Sequence, residues 1–479
     1  MATEIKFGTD GWREKFSKGF NIENVNYVIK SIIDYVNLEY GNKKEFIIGY
    51  DGRLDGFKWA KFVAYLIAKE GFDVKLSKEI VPTPVIAFTA KKNEALGIML
   101  TASHNPPDYL GIKFIPDFGG PAEDSVTSKI MLNIKKNQLD KNINIEFSSL
   151  NEFNDYFDNI KLNNIEMVSF KEDYFDHLEN IIDFQLIKTL KQKIVFDALH
   201  SASIGFFDEI LQRHNIPIIK LNDYFDPEFN GKLPDPKPKY LNDLIDYIKN
   251  SDQLTIGLSN DGDADRYGVI NENGQYVTPN EIMGILLLHL KNNRKINGCL
   301  IKTVGSSVLL DILAKQLNVN VIETKVGFKW VGSEMRSCEA IIAGEESGGL
   351  SCGFHIPEKD GIFANLLILE ALACFNKTLV QLQEELIDIC KYKFINDRLD
   401  IDLTSVKDFD NNLILNAFEK KDISKIDDKD GLKIYLDNGL SWILVRKSGT
   451  EPLLRIYFES YDNKKLKLYK QNIISLFNF

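Results

Sequence analysis

Residues 46–100 read FIIGYDGRLDGFKWAKFVAYLIAKEGFDVKLSKEIVPTPVIAFTAKKNEALGIML, and their patterning decides the fold. Phe46-Ile47-Ile48-Gly49-Tyr50 is a short, wholly apolar run, the mark of a strand buried on both faces. Trp59, Phe62, Val63, Leu66 and Ile67 recur at a helical period. Phe72, Val74 and Leu76 alternate as in a strand, and the Pro82-Thr83-Pro84 turn leads into a short helix. Gly97 to Leu100 is a third strand, and Asn24 to Leu38, with Val25, Val28, Ile29, Ile32 and Val36, is a helix preceding the first.

The same alternation returns twice. Strands are predicted at Lys193–Phe196, Ile216–Ile219 and Leu254–Leu258, with helices at Ile204–His214 and Tyr240–Lys249. A third round places strands at Cys299–Val304, Val319–Val326 and Ala340–Ala343. Its helices are Val308–Leu317, Trp330–Arg336 and a segment from Ile362 onward. Alternation of this kind builds parallel α/β sheets, so three similar mixed-parallel α/β domains are expected. The last eighty or so residues differ. Gly431–Asp437 and Ser441–Arg446 flank Asn438-Gly439, a hairpin signal, and Leu453–Glu459 adds a strand before a terminal helix. This is a smaller C-terminal α+β domain, entered through a linker near Tyr392–Asp402. The polar stretch Asp117–Asn164 mixes helix and loop signals.

Composition bounds the function. The chain has 479 residues, 44% hydrophobic and 27% charged, with net charge −11 and pI near 5.3. So acidic a chain is a poor coat for nucleic acid or an anionic membrane, and an anionic ligand needs a local cluster of cations. No stretch reaches the length of a spanning helix; the longest, Asn365–Phe375, is broken by Glu370. The N-terminus lacks the apolar core of a signal peptide. The five cysteines, Cys299, Cys338, Cys352, Cys374 and Cys390, are odd in number and far apart, arguing against a disulfide framework and for a reduced, cytoplasmic setting.

Ligands of open parallel sheets sit beyond the carboxyl ends of the strands, and each round ends there in an unusual polar loop. These are Thr101-Ala102-Ser103-His104-Asn105-Pro106-Pro107, Asn260-Asp261-Gly262-Asp263-Ala264-Asp265-Arg266 and Gly344-Glu345-Glu346-Ser347-Gly348-Gly349. Asp261, Asp263 and Asp265 repel one another unless a cation intervenes, and oxygen-only ligands suit Mg²⁺ or Ca²⁺. An EF-hand loop is opposed by Arg266 at its sixth position, where glycine is needed, and by strand-like flanks. Ser103 is a weak nucleophile without a base or metal; read alone, it is a capping serine. Were it to carry a phosphoryl group, that charge would account for the metal and the nearby cations. Arg446-Lys447-Ser448-Gly449-Thr450-Glu451-Pro452, with Arg455 beyond it, offers hydroxyls, backbone N–H and guanidinium, a donor set matched to a phosphate dianion.

In chain order, Lys6-Phe7-Gly8-Thr9-Asp10-Gly11-Trp12-Arg13, TASHNPPDYLGIK (101–113), DGDADR (261–266), GEESGG (344–349) and RKSGTEP (446–452) together closely resemble the α-D-phosphohexomutase family. That family includes phosphoglucomutases, phosphomannomutases and phosphoglucosamine mutases. The resemblance covers the whole chain and implies four domains around a central cleft: residues 1–165 with a phosphoserine loop, 166–277 with a metal loop, 278–393 with a sugar loop and 394–479 with a phosphate loop. It implies Ser103 as the phosphoserine, and Ser103, Asp261, Asp263 and Asp265 as the Mg²⁺ site. Arg13, His104, Lys113 and Arg266 match residues around the transferring phosphate, and Glu345, Ser347 and Lys329 the sugar site. Arg446, Ser448, Gly449, Thr450 and Arg455 match the distal phosphate clamp.

The implied reaction interconverts hexose 1-phosphate and hexose 6-phosphate through a hexose 1,6-bisphosphate, in a cytoplasmic monomer or homodimer. The final domain is expected to move as a lid. Two departures concern the sugar: Gly349 and Phe328 stand where several relatives have histidine. Glu346 at the centre of GEESGG resembles phosphoglucomutase-type members, which leans the reading towards glucose phosphates, with phosphomannomutase or phosphoglucosamine mutase as alternatives. A Mg²⁺-dependent sugar phosphatase, a catalytically inactive sugar-phosphate binder and a calcium-responsive module are the rival classes.

Overall fold

The computed structural model describes residues 5–8, 11–41, 44–140, 143–160, 162–402, 411–447 and 453–476. Its first sheet has six strands, in the order Trp12–Lys15, Tyr109–Ile115, Leu96–Leu100, Phe46–Tyr50, Val74–Ser77 and Ile165–Val168. The last four run parallel; Tyr109–Ile115 is antiparallel to Leu96–Leu100, and Trp12–Lys15 antiparallel to Tyr109–Ile115. Phe46–Tyr50 and Leu96–Leu100 are buried along their whole length, as strands covered by helices on both faces must be.

The second and third sheets repeat this core. In the second, Thr255–Asn260, Lys193–Asp197 and Ile218–Leu221 are parallel, and Tyr267–Ile270 returns antiparallel beside Thr255–Asn260. In the third, Ala340–Gly344, Cys299–Thr303 and Asn320–Thr324 are parallel, and Leu350–Ser351 returns beside Ala340–Gly344. Each unit thus places its third strand beside its first and sends the chain back antiparallel. The three polar loops are those three reversals. The shared topology, not residue identity, makes the loops equivalent.

The fourth sheet is wholly antiparallel, in the order Ile395–Asp402, Leu453–Ser460, Ser441–Lys447, Leu432–Leu436 and Ile423–Asp427. The hairpin around Asn438-Gly439 is present, and helix Asn463–Ile474 covers the sheet. Ile395–Asp402, read as linker, is instead a strand paired along eight residues with Leu453–Ser460. Its inward residues, Ile395, Leu399 and Ile401, alternate with charges that mask the run in sequence.

The polar stretch after Asp117 resolves into helices Asp124–Leu139 and Leu150–Phe157, followed by the edge strand Ile165–Val168. The first of these helices packs against Ile22–Glu39, where Asn137 Nδ2 donates to Ser31 Oγ at 2.9 Å. One expectation fails: Cys299 and Cys338 form a disulfide. Cys299 lies in register with Ala340 on a neighbouring parallel strand, so sheet pairing joins cysteines that are 39 residues apart. Cys352, Cys374 and Cys390 are free thiols.

Candidate active site

The serine and aspartate loops meet. Ser103 Oγ donates to Asp261 Oδ2 at 2.8 Å and lies 3.2 Å from His104 Nδ1. Ser103 is buried and its φ is +49°, in the left-handed region that serine rarely occupies. Gly262 makes the approach feasible, because a Cβ there would stand 2.4 Å from the Ser103 carbonyl oxygen. Across the same junction Thr83 Oγ1 donates to Asp263 Oδ2 at 2.6 Å, and Thr83 N to Asp263 O at 2.9 Å.

Asp261, Asp263 and Asp265 are all buried, each offering an oxygen within 4.8 Å of the others. Lys113, on the return strand of the first sheet, reaches Asp263 Oδ2 at 2.6 Å and Asp265 Oδ2 at 2.9 Å. Asp263 Oδ1 and Asp265 Oδ1 are buried without a hydrogen-bond donor. Buried carboxylate oxygens are costly unless a proton donor or a cation faces them, so this donor set fits a hard cation. Burial, then repulsion from Asp265 and Asp263, pushes the Asp261 carboxyl well up. Burial acts the same way on Asp265, but Lys113, Lys359 and Arg266 overcome it and hold that carboxyl well below the usual range. Burial opposes the charge on Lys113, yet Asp263 and Asp265 raise its pKa. His104 is driven well down by burial and then by Arg266 and Arg13, so its ring is neutral.

The remaining candidate residues lie in several places. Arg13 Nη1 donates to Asn105 Oδ1 at 3.0 Å, beside the serine loop. Arg266 N donates to Asp261 Oδ1 at 2.9 Å, and a β-bridge pairs Arg266 with Gly349, tying the metal loop to the sugar loop. Glu345 is buried; its Oε1 accepts from Gly327 N at 2.9 Å and its Oε2 from Ser347 Oγ at 3.4 Å. Lys329 turns to the carboxylate of Asp124 at the start of the helix Asp124–Leu139, and its ammonium lies 5.1 Å from the Trp330 ring centroid. Arg446 stands opposite Arg455 on adjacent strands of the fourth sheet, with its Nε donating to Asp430 Oδ2 at 3.0 Å. Ser448, Gly449 and Thr450 lie outside the described residues.

Sequence reading missed Lys359, whose Nζ is 3.4 Å from Asp265 Oδ2. It enters from a segment with no loop motif. Gly349 makes room for it, since a Cβ there would stand 2.4 Å from Lys359 Cδ. The glycine that departs from relatives was the available signal. Thr83 was visible only as part of a proline turn.

Comparison with known proteins adds a family. Residues 4–141, 172–274 and 278–390 match the alpha/beta/alpha domains I, II and III of phosphoglucomutase/phosphomannomutase, and 403–476 match its C-terminal domain. A phosphoglucosamine mutase from Methanocaldococcus jannaschii is 30% identical over 88% of this chain and 89% of its own. A phosphoglucomutase/phosphomannomutase from Thermococcus kodakarensis is 29% identical over 90% and 89%. A structure of a phosphoglucomutase/phosphomannomutase family protein from Burkholderia thailandensis shares the fold, with TM-score 0.80 and 21% identity over 99% and 97% of the two chains. With all four domains matched in order around a serine–aspartate centre of this geometry, the chain belongs to the α-D-phosphohexomutase family and is a hexose-phosphate mutase, an isomerase working by phosphoryl transfer.

Proposed function

We propose that the chain interconverts the 1- and 6-phosphates of a hexose, with Ser103 storing the phosphoryl group, and that glucosamine phosphate is its first substrate candidate and mannose phosphate its second. One observation carries the mechanism: the hydroxyl of a buried, conformationally constrained serine stands 2.8 Å from an aspartate of a buried carboxylate triad.

The free hydroxyl of the bound monophosphate attacks the phosphorus on Ser103, and Ser103 Oγ leaves. The bisphosphorylated hexose then turns end for end and returns its other phosphoryl group to Ser103. Neutral His104, beside Ser103 Oγ, relays the proton of the attacking hydroxyl to the departing Ser103 Oγ in the first transfer and carries one back from it in the second. Lys113, Arg266 and Arg13 face the charge that builds on the transferring oxygens. Mg²⁺ held by Asp261, Asp263 and Asp265 together with the Ser103 phosphate would draw charge off those oxygens. Glu345 and Ser347 meet the sugar hydroxyls, with Lys329 at the margin through its loop. Arg446 and Arg455, with Ser448, Gly449 and Thr450, hold the distal phosphate. The fourth domain closes over the substrate and excludes water from the phosphoserine.

Glucosamine and mannose phosphates are favoured over the glucose phosphates that the sequence suggested. Phosphoglucosamine mutases recur among the relatives. The glucose reading rested on Glu346, whose Oε2 accepts from Thr303 Oγ1 at 2.7 Å, a bond that accounts for the residue without a sugar contact. No single helix among the described residues is long and apolar enough to cross a membrane. Comparing kcat/KM for the 1-phosphates of glucosamine, mannose and glucose tests the assignment. A ratio favouring glucose by more than about tenfold would restore the sequence reading.

A further inference from the structure

Arg53 belongs to none of the five motifs, yet its side chain is wholly buried behind the serine loop. Nη2 donates to Ser103 O and Asn105 O, each at 2.7 Å, and Nη1 to Pro106 O at 2.8 Å and Tyr109 O at 3.0 Å. These four carbonyls span the whole reversal from the nucleophile to the return strand. Nε lies 3.3 Å from Asp51 Oδ2, and the Phe229 ring of the second domain covers the guanidinium at 5.0 Å. Asp51 Oδ2 also accepts from the Thr101 hydroxyl, and Thr101 Oγ1 accepts from Ser103 N at 2.8 Å.

Ser103 is therefore gripped at both backbone polar atoms, through Asp51 and Thr101 at N and by Arg53 at O. The residue so gripped is the one at φ +49°, a conformation that needs its surroundings to hold it. The bonds also sort charge. Four carbonyl oxygens of the serine loop are taken up by one guanidinium, which brings a fixed positive charge to that loop. Only a guanidinium offers five donors in a rigid fork and stays protonated when buried. Merely satisfying a loop would not require the second linkage, through Asp51 and Thr101, to converge on the same residue.

We propose that Arg53, with Asp51 and Thr101, is the positioning assembly of the phosphoserine. It fixes the Ser103 backbone so that Oγ meets Asp261, and it acts through Ser103 without touching the substrate. The inference rests on the mutase reading.

Arg53→Lys keeps the charge and removes the fork. Its expected result is a loss of about 100-fold in kcat and in single-turnover transfer from a hexose 1,6-bisphosphate, with KM for the hexose 1-phosphate within about threefold, in a chain that melts earlier than the parent but is folded at the assay temperature. Thr101→Val should lose about tenfold in kcat with the same KM signature. A crystal structure of Arg53→Lys should show Ser103 Oγ moved away from Asp261, whatever the turnover. Parent-like kcat in a folded Arg53→Lys, or an unmoved Ser103 in its crystal, overturns the proposal. So does a KM that rises in step with the fall in kcat. If Arg53→Lys does not fold, Thr101→Val decides, and full activity there overturns it. A parent protein that never phosphorylates Ser103 would instead defeat the mutase reading, while the position of Ser103 in the variant crystal still judges this one.

Discussion

The two halves of the proposed site, a serine end and an arginine end, are built differently. At the serine end, two domains are bonded through the chemistry itself. Ser103 bonds to Asp261, Thr83 to Asp263, and Lys113 to Asp263 and Asp265. At the arginine end, Arg446 and Arg455 sit on a separate antiparallel sheet. That sheet docks on the third domain through Trp442, Leu444 and Tyr457 against Val304. Lys433 Nζ donates to Val304 O at 2.6 Å, and Glu459 Oε1 accepts from Val308 N at 2.8 Å. The difference fits the division of labour proposed above. Phosphoryl transfer needs reacting atoms held to fractions of an ångström, whereas a clamp that takes phosphate from either end of a sugar needs adjustable reach.

Breaking the serine end should cost most. Ser103→Ala is expected to lose roughly 10⁴-fold or more in kcat with the melting temperature retained, measured in a coupled mutase assay beside calorimetry. Gly262→Ala forces a Cβ against the Ser103 carbonyl and should separate the two loops. Its expected loss is about 100-fold in kcat with KM little changed. The arginine end should respond in the other parameter. Arg446→Lys removes bidentate reach, and steady-state kinetics should show KM raised about tenfold with kcat nearly kept.

The smallest effect lies in a histidine relay that ends on Asp360, next to Lys359. His177 Nε2 meets His355 Nδ1 at 2.8 Å, and His355 Nε2 meets Asp360 Oδ2 at 2.8 Å. Burial, then His355, lowers the His177 pKa from 6.5 to about 4. The unfolded chain therefore takes up this proton at higher pH than the folded one, so stability present at pH 7 is lost as pH falls from 6.5 towards 4. Allowing for the partial exposure of the ring, denaturant melts of His177→Gln should lack about 1 kcal/mol of that acid sensitivity.

What the sequence revealed follows the same division. The three chemical loops were legible because each interrupts a regular α/β rhythm with clustered polar residues, and topology then guarantees that they lie at equivalent strand ends. Side chains arriving from elsewhere were not legible. Arg53 is a single arginine after a strand, Lys359 depends on the space left by Gly349, and Lys329 is drawn to Asp124 in another domain. The strand Ile395–Asp402 was hidden by its charges, because one face meets the fourth-domain core and the other carries Arg398 and Asp400. The Cys299–Cys338 pair depends on sheet register, which no spacing rule discloses.

The central claim is that Ser103 holds a transferable phosphoryl group. Intact-mass measurement before and after incubation with a hexose 1,6-bisphosphate and Mg²⁺, followed by peptide mapping, tests it most directly. The account predicts a single added phosphoryl on Ser103 that is discharged when hexose monophosphate is supplied. A chain that stays unmodified under every such condition, or that carries the group on another residue, would contradict it.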